Sequence, residues 1–308
     1  MPVLSNVLEA IGGTPLVRLN RLVGDNEAQV LAKLEFLNPS GSIKARAAYG
    51  MITAAEKAGL LNKDSIIVEP TSGNQGIGLA MVAAVKGYRA IIVMPETMSV
   101  ERRKLVAAFG AEIRLTTAGR NIQETFDVCI NEARRMAAAD PRVFIPQQFE
   151  NPANPAAHRD TTAQEILEQV DGPIDAFVAG IGTGGTLTGV GEVLKKRHPK
   201  IRVVAAEPAN AAILSGGKIG SHIQQGIGDG LIPKVLNRRI IDEIVQVTDE
   251  EAVEMARLLA RKEGLLAGVS SGTAAAASLK IARQLGPGKT VVTILPDTGE
   301  RYLSMDLW

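Results

Sequence analysis

Residues 176–188 read AFVAGIGTGGTLT, a short apolar run followed by a glycine-rich turn, and this stretch decides the fold. The residues after it, up to Arg197, have the pattern of a helix, so the segment predicts a strand, a turn and a helix in succession. Glycines let backbone N–H groups approach a ligand closely, and the N-terminus of a helix adds positive potential. The segment therefore predicts a site for a phosphate group.

Three interpretations of this turn stay open when it is considered alone. The first is a phosphate monoester, bound by the free N–H groups and the threonine hydroxyls. The second is a dinucleotide, because Gly180, Gly182 and Gly185 match GxGxxG and Glu207 lies about 25 residues further on, near the position of a ribose-binding carboxylate. The third is a tight structural turn with no ligand.

The rest of the chain alternates short β-branched runs with longer alanine-rich segments, which is typical of a parallel sheet covered by helices. The predicted strands are residues 30–34, 65–69, 90–94, 112–116, 176–179, 202–207 and 290–295. The predicted helices are residues 45–58, 77–86, 99–109, 121–138, 161–170, a segment ending at 197, 249–263 and 273–285. Residues 145–158 show no periodicity and predict a crossing between two α/β domains, with a ligand cleft between them.

Composition excludes several classes of function. The chain has 308 residues, a formal net charge of +1 and only 3% aromatic residues, which disfavours nucleic acid and anionic membranes as partners. The single cysteine, Cys129, rules out an internal disulfide, and the three histidines show no metal-ligand spacing, so no metal is expected. No apolar run approaches the roughly 20 residues of a membrane span. These features predict a cytoplasmic protein that is neither exported nor anchored.

Residues 38–46, NPSGSIKAR, place Lys44 directly after a turn and at the start of an alanine-rich run. Ser40 or Ser42 can cap the helix that follows. A helix N-terminus disfavours an ammonium group, whereas a lysine that forms an imine with a bound carbonyl avoids this penalty. A solvated loop lysine is the alternative that these residues leave open.

A second turn between a strand and a helix, TSGNQG at residues 71–76, is rich in small hydrogen-bonding groups and suits a carboxylate. A helix cap made by Ser72 or Asn74 is the alternative. Gln147 and Gln148, in the irregular stretch, either present an amide to the cleft or satisfy loop backbone. Residues 268–272, GVSSG, also begin a helix, and their serines could face a ligand.

Taken together and in this order, these motifs resemble the fold-type II pyridoxal-phosphate enzymes, and most closely the cysteine synthase and cystathionine β-synthase family. The matching segments are GGTPLVRLN (12–20), NPSGSIK (38–44), VEPTSGN (68–74), MPETMSVERRKL (94–105), PQQFENPANP (146–155), GIGTGGTLTG (180–189), QGIGDG (225–230), LAGVSSG (266–272) and LPDTGERYLS (295–304). They cover nearly the whole chain. The resemblance favours the phosphate monoester of pyridoxal phosphate over a dinucleotide.

The resemblance also implies a role for each matching residue. Lys44 would form a Schiff base with pyridoxal phosphate. Asn74 would bind the ring hydroxyl, and Ser270 the pyridine nitrogen. The residues that would hold the phosphate are Gly182, Thr183, Gly184, Gly185 and Thr186. Those that would bind the substrate α-carboxylate are Thr71, Ser72, Asn74, Gln75 and Gln148.

The fold implied is that of the tryptophan synthase β-subunit, with two three-layer α/β domains and a cofactor cleft between them. Residues 1–150 would form the N-terminal domain, in which 1–37 cross to the C-terminal domain and 45–150 are mobile. Residues 151–308 would hold the cofactor phosphate. The family implies a homodimer and a possible partner in the C-terminal tail of serine acetyltransferase.

The reaction implied is β-replacement, in which O-acetyl-L-serine and sulfide give L-cysteine and acetate through an aminoacrylate. Two alternatives are a cystathionine β-synthase without a regulatory module, acting on serine and homocysteine, and a nucleotide-binding or non-catalytic partner-binding module. Three residues depart from the usual family pattern: Ala45 replaces aspartate, Gln75 replaces threonine and Asp297 replaces serine. We expect the longer Gln75 amide to bear on the choice of leaving group or second substrate.

Overall fold

A computed structural model describes residues 3–71, 73–305 and 307, without the side chain of Ile122. Its strands are β1 (Leu16–Arg18), β2 (Gln29–Leu34), β3 (Ile66–Pro70), β4 (Arg89–Pro95), β5 (Glu112–Thr116), β6 (Val143–Phe144), β7 (Ala176–Gly180), β8 (Arg202–Pro208), β9 (Glu243–Val247) and β10 (Thr290–Leu295). Its α-helices are α1 (Lys44–Lys57), α2 (Asn74–Lys86), α3 (Val100–Ala108), α4 (Ile122–Ala139), α5 (Ala153–Ala157), α6 (Ala163–Gln169), α7 (Gly185–Arg197), α8 (Asp249–Glu263) and α9 (Val269–Leu285).

The strands of the described residues form two sheets. The larger sheet has the order β1-β2-β10-β7-β8-β9, and it is parallel except for the antiparallel pair of β1 and β2. The smaller sheet has the order β5-β4-β3-β6 and is parallel throughout. Every residue of β3 and of β10 is buried, because helices cover both faces of the sheets.

Each sheet is the middle layer of a three-layer unit. An apolar cluster joins α8 and α9 to one face of the larger sheet, and a second cluster joins α6 and α7 to the other face. On the smaller sheet, α1, α2 and α3 share one cluster, while α4 packs on the opposite face through Cys129 and Ala133. This arrangement is the α/β architecture that the sequence predicts.

Several helix starts differ from the sequence prediction. The second helix begins at Asn74 rather than at residue 77, and α9 begins at Val269 rather than at residue 273. Small residues and glycines look like loop residues, yet here they form the first helical turn, where close packing leaves no room for larger side chains. A serine precedes each of two predicted helices, with different outcomes. The Ser42 hydroxyl accepts the Lys44 N–H at 3.4 Å at the start of α1, although the residue directly before that helix is Ile43, whereas Ser99 makes no side-chain capping bond to α3.

The stretch 145–158 is not wholly irregular, because it contains α5. Strands β1, β6 and β9 have no counterpart in the prediction; β1 and β6 are three and two residues long, too short for a periodic pattern. Residues 16–34 contribute β1 and β2 to the larger sheet, beside β10. The boundary near residue 150 and the mobility of residues 45–150 stay predictions.

Candidate active site

A cavity of about 510 Å³ opens where the carboxyl ends of strands from both sheets meet. Residues that follow β3, β4, β7 and β10 line it, which is where open α/β sheets bind their ligands. Ten of the sequence-predicted site residues line this one cavity: Lys44, Thr71, Asn74, Gln75, Gln148, Gly182, Thr183, Gly184, Thr186 and Ser270. Gly185 is not among the lining residues, and Ser72 lies outside the described residues.

Lys44 is the first residue of α1, as its position after a turn predicts. The turn before it is tied to the end of β10, because the Ile43 N–H donates to the Pro296 carbonyl at 2.8 Å and Ser42 pairs with Asp297. Burial lowers the pKa of the Lys44 amine, while the carboxylates of Asp229 and Asp297 act in the opposite direction. A buried amine with a lowered pKa is suited to react with a carbonyl group.

The glycine-rich turn forms a loop at the N-terminus of α7 whose N–H groups are available to an anion. Gly184 has φ +76°, and no side chain caps the helix. A Cβ at Gly182 would lie 2.3 Å from the Gly226 carbonyl oxygen, and one at Gly185 would lie 2.1 Å from Asn154 Oδ1. Larger residues are thus excluded at both positions. Asn154 Nδ2 also donates to Thr183 Oγ1 at 3.0 Å, and this hydrogen bond holds the loop in place.

His158 lies next to this loop and is buried. Its Nδ1 is 3.0 Å from Thr162 Oγ1, and its Nε2 is 3.4 Å from Thr186 Oγ1. Burial lowers the pKa of the imidazole well below its usual range, and the cations of Arg46 and Lys44 add to this effect. A neutral ring therefore orients the Thr186 hydroxyl.

The TSGNQG segment places Thr71 at the end of β3 and Asn74 and Gln75 in the first turn of α2. Asn74 Nδ2 donates to Asp297 Oδ2 at 2.7 Å, and Asn74 Oδ1 accepts a hydrogen bond from Arg301. Gln75 is only 1% exposed, and neither atom of its amide has a hydrogen-bond partner among the described residues. A buried amide without partners in the wall of a cavity indicates a ligand that supplies them.

Ser270 is buried in the first turn of α9 and faces the same cavity. Asp297 does not line the cavity; its Oδ2 accepts from the Tyr302 hydroxyl at 2.6 Å and from Asn74. The carboxylate at this unusual position thus orients Asn74.

Residue-level sequence reasoning missed three polar groups. Asp229 lines the cavity close enough to Lys44 to influence its pKa, and burial raises the pKa of Asp229 itself. Arg102 is buried, lines the cavity and stacks at 5.2 Å from the ring of Tyr302. Glu69 is fully buried beside Thr71. Each lies within a segment that matches the family, but a charged residue in a segment gives no sign of whether it faces the cavity or the solvent.

The carboxylate of Glu207, which a dinucleotide would require, is already occupied. It accepts the N–H groups of Leu214 and Ser215 at 3.0 and 3.1 Å. Over residues 3–71, 73–305 and 307, no group of three or more histidine, cysteine, aspartate or glutamate side chains is arranged to hold a metal ion. No described helix is both long and apolar enough to cross a membrane.

Residues 7–297 match the family model described as pyridoxal-phosphate dependent enzyme. The chain belongs to this family. Pyridoxal phosphate is therefore its cofactor, as the resemblance implies, and this favours the phosphate-monoester interpretation of the glycine-rich turn over the dinucleotide. The residues fit the cofactor. The N-terminus of α7 has no side-chain cap, and its glycines let a ligand approach the backbone closely. The buried Lys44 lines the same cavity.

Other members of the pyridoxal-phosphate family match the chain over its whole length. A cysteine synthase of Staphylococcus aureus (strain Mu50) is 52% identical over 306 residues, which are 99% of this chain and 97% of that protein. The crystal structure of a cysteine synthase (OASS) of Entamoeba histolytica has a TM-score of 0.94 and 42% identity, covering 100% of this chain and 91% of that one. An O-acetylserine dependent cystathionine beta-synthase of Helicobacter pylori has a TM-score of 0.94 and 39% identity, covering all of both chains.

Proposed function

We propose that the protein catalyses a β-replacement in which O-acetyl-L-serine and sulfide give L-cysteine and acetate. The observation that carries this proposal is the shared cavity, in which Lys44 faces both an anion-binding loop and the Thr71–Gln75 segment. The names of the Staphylococcus and Entamoeba relatives support the same activity. Bound pyridoxal phosphate supplies an electron-withdrawing ring that makes the Cα proton of an amino acid acidic.

The positions of these residues in the cavity support the following cofactor contacts. The 182–186 loop and the N-terminus of α7 bind the phosphate through backbone N–H groups and the hydroxyls of Thr183 and Thr186. Lys44 holds the aldehyde end, and Asn74 binds the ring hydroxyl. Ser270 offers a neutral hydroxyl to the pyridine nitrogen, which keeps the ring uncharged and favours elimination over transamination.

Lys44 Nζ carries the proton that the reaction moves. The amine of the substrate replaces Lys44 at the aldehyde, and the freed Lys44 amine, whose pKa burial lowers, takes the proton from the substrate Cα. The Cβ–O bond then breaks, and acetate leaves with the bonding electron pair. Sulfide forms the new Cβ–S bond, and Lys44 returns the proton to Cα, so the residue ends in its starting state.

The substrate carboxylate is bound where β3 ends and α2 begins. Thr71 and Gln148 line this part of the cavity, and the first turn of α2 contributes Asn74, Gln75 and the positive end of its helix dipole. A carboxylate bound at this end keeps the substrate in the cavity that Lys44 also lines. The larger amide of Gln75, in place of the usual threonine, bears on the β-substituent that the site accepts.

Absorbance and activity together test this function. The cofactor-loaded protein is expected to absorb in the visible range, and Lys44→Ala to lose both this band and turnover, because no other amine replaces Lys44 at the aldehyde. Lys57→Ala, at the other end of α1, serves as the matched control and is expected to retain both. A Lys44→Ala variant that keeps full turnover would refute the assignment.

Substrate choice is measured with two pairs: O-acetyl-L-serine with sulfide, and L-serine with homocysteine. Formation of cysteine from the first pair at the higher kcat/KM supports the proposal. Preference for the second pair would instead make the protein a cystathionine synthase. The Helicobacter relative, whose name combines O-acetylserine with cystathionine synthesis, makes O-acetyl-L-serine with homocysteine a useful third pair.

We also propose that the protein is a cytoplasmic homodimer that can accept the C-terminal tail of a serine acetyltransferase. The exposed apolar side chains of Val3, Leu4 and Val7 are the kind of surface that a dimer covers. A C-terminal carboxylate would compete with the substrate carboxylate at Thr71 and Gln148. Light scattering measures the first property, and competition between a tail peptide and O-acetyl-L-serine the second.

A further inference from the structure

Glu69 is a fully buried carboxylate one residue before the end of β3. Its Oε2 accepts the Gln147 N–H and its Oε1 accepts the Gln148 N–H, both at 3.0 Å. No ion pair to Glu69 occurs among the described residues. A buried carboxylate without a cation is rare, and its two oxygens here depend on two consecutive backbone N–H groups.

The charged groups that line a cavity together with Glu69 form no ion pair with it. Arg134 of α4, Glu150 and Lys234 line a second cavity of about 190 Å³ together with Glu69. Glu150 and Lys234 pair with each other at 2.9 Å on the exposed side. Burial raises the pKa of Glu69 to about 7, and only the N–H groups of Gln148 and Gln147 oppose this shift. The carboxylate therefore exchanges a proton in the physiological range.

The peptide that Glu69 holds is strained. Gln147 has φ +58°, a left-handed conformation that residues other than glycine rarely adopt, so surrounding contacts must hold it. The chain then turns, because the Gln147 carbonyl accepts the N–H groups of Glu150 and Asn151 at 2.9 Å. This turn directs Gln148 into the active-site cavity, where the Gln148 carbonyl accepts Asn154 Nδ2 at 2.8 Å.

Glu69 thus connects the two halves of the carboxylate site. Glu69 lies two residues before Thr71 in the sequence, and its carboxylate accepts the backbone N–H of Gln148. The ionised form accepts both N–H groups. Protonation turns one of the two carboxylate oxygens into an O–H donor, which faces a backbone N–H donor. One of the two hydrogen bonds that hold the strained peptide is then lost.

We propose that Glu69 is a positioning residue for the substrate carboxylate: its ionised form holds Gln148 beside Thr71, and its protonation weakens amino-acid binding. This inference rests on the proposed function, in which Thr71 and Gln148 bind that carboxylate. The substrate favours the ionised state because it binds only the ordered site, so amino-acid binding and proton release by Glu69 are coupled.

General acid unfolding would not imitate this effect. Because the folded protein raises the pKa of Glu69 above its ordinary value near 4.5, this group stabilises the fold most at low pH and loses that contribution as the pH rises through about 7. Substrate affinity changes in the opposite direction, since it is lost as the pH falls through about 7. The characteristic result is therefore weaker substrate binding at pH 6, while Glu69 does not lower the unfolding temperature at that pH.

The test is the dissociation constant of L-serine for the cofactor-loaded enzyme, measured by calorimetry between pH 6 and pH 8. Glu69→Gln reproduces the protonated acid, because its amide also has one acceptor and a donor. Glu150→Gln, an exposed carboxylate of the same loop, is the matched control. The amine of L-serine titrates in all three proteins and cancels in their ratios.

In the wild type and in Glu150→Gln, we expect the dissociation constant to rise about tenfold more from pH 8 to pH 6 than in Glu69→Gln, as for one group titrating near pH 7. At pH 8, Glu69→Gln is expected to bind L-serine at least about tenfold more weakly than the wild type, with the cofactor absorbance unchanged. Equal affinities and equal pH profiles in all three proteins would overturn the proposal.

A measurement on the wild type alone tests the proposal even if the Glu69→Gln variant does not fold. At pH 6, infrared difference spectra should show that L-serine removes the carbonyl band of a protonated carboxylic acid, and an unchanged band overturns the role of Glu69. Failure of L-serine and O-acetyl-L-serine to bind at all would refute the proposed function and Glu69 with it. Binding with no contribution from Glu69 refutes the positioning role only.

Discussion

At the scale of the residue, the most informative side chain is Gln75, whose amide is buried and unpaired among the described residues. Its amide is buried in the first turn of α2, and neither atom has a partner in the described part of the chain. Without substrate, such a group destabilises the fold, because burial of an unpaired amide is unfavourable by roughly 1–3 kcal/mol. Because this unpaired amide lies in the cavity wall, it indicates a function in binding.

Gln75→Met keeps the volume and removes the unpaired amide. We expect it to raise the free energy of unfolding of the substrate-free, cofactor-loaded protein by roughly 1–3 kcal/mol. The same change should lower kcat/KM for O-acetyl-L-serine, because the substrate loses its hydrogen-bond partner. Thermal unfolding and steady-state kinetics measure the two effects. Gln164→Met, at an exposed position, should change neither, and a less stable Gln75→Met protein would contradict the prediction.

Sequence motifs identify the residues of the site better than their partners. Lys44, the glycine loop and Ser270 could be predicted to share one cavity, because each occupies a recognisable turn at a helix start. Glu69 and Asp297 orient other residues from positions that carry no local pattern. Their carboxylates act through contacts between segments far apart in the chain, and the sequence does not specify such contacts.

At the scale of the element, a buried ion network fixes the helix that carries Lys44. Arg46, in the first turn of α1, pairs with Glu35 at 2.7 Å and with Glu165 of α6 at 2.6 Å. Lys33 of β2 pairs with Glu165 at 2.7 Å. The network joins β2, α1 and α6, so the direction in which Lys44 enters the cavity depends on it.

Arg46→Met should destabilise the protein by about 3–5 kcal/mol, because it leaves the carboxylate of Glu35 buried without its cation. Arg89→Met, which breaks an exposed pair with Glu112, is the matched control and should lower stability by about 1 kcal/mol or less. Urea unfolding curves measure both changes. An equal and small loss in the two variants would show that the buried network contributes little.

The same network predicts how stability depends on pH. Burial alone would raise the pKa of Glu165, but the hydrogen bonds and charge of Arg46, together with Lys33, lower it to about 2. A carboxylate with a lowered pKa stabilises the fold above its ordinary value near 4.5, and this contribution is lost as the pH falls toward about 2. Arg46→Met should therefore flatten the stability profile between these two values.

Elements whose ends are marked by turn residues or caps could be predicted closely from the sequence, and elements without such marks could not. Strand β5, helix α8 and strand β10 have the predicted bounds, because turn residues or caps mark their ends clearly. Helices α2 and α9 begin three and four residues before the predicted starts, since small polar residues and glycine favour loops unless tertiary packing overrides that preference.

At the scale of the whole molecule, the cavity lies between the two sheets, and Arg102 is one of the side chains that connect them. Arg102 of α3, on the smaller sheet, donates to Gln225, which lies between β8 and β9 of the larger sheet. Its guanidinium also stacks on Tyr302. No carboxylate pairs with this buried cation in the described residues, so its hydrogen bond and its ring contact hold the two units together across the cleft.

Arg102→Met should open this contact while the apolar part of the side chain is retained. We expect L-serine to slow amide hydrogen exchange in α3 of the wild type and to do so much less in the variant. Its dissociation constant should rise roughly 10- to 100-fold, as for a lost hydrogen bond to a charged group. The visible absorbance of the cofactor should stay the same, because Lys44 and the phosphate loop are not altered.

Lys104→Met, on the exposed face of the same helix, is the matched control for Arg102→Met. Identical hydrogen exchange in all three proteins would show that Arg102 does not couple α3 to the larger sheet.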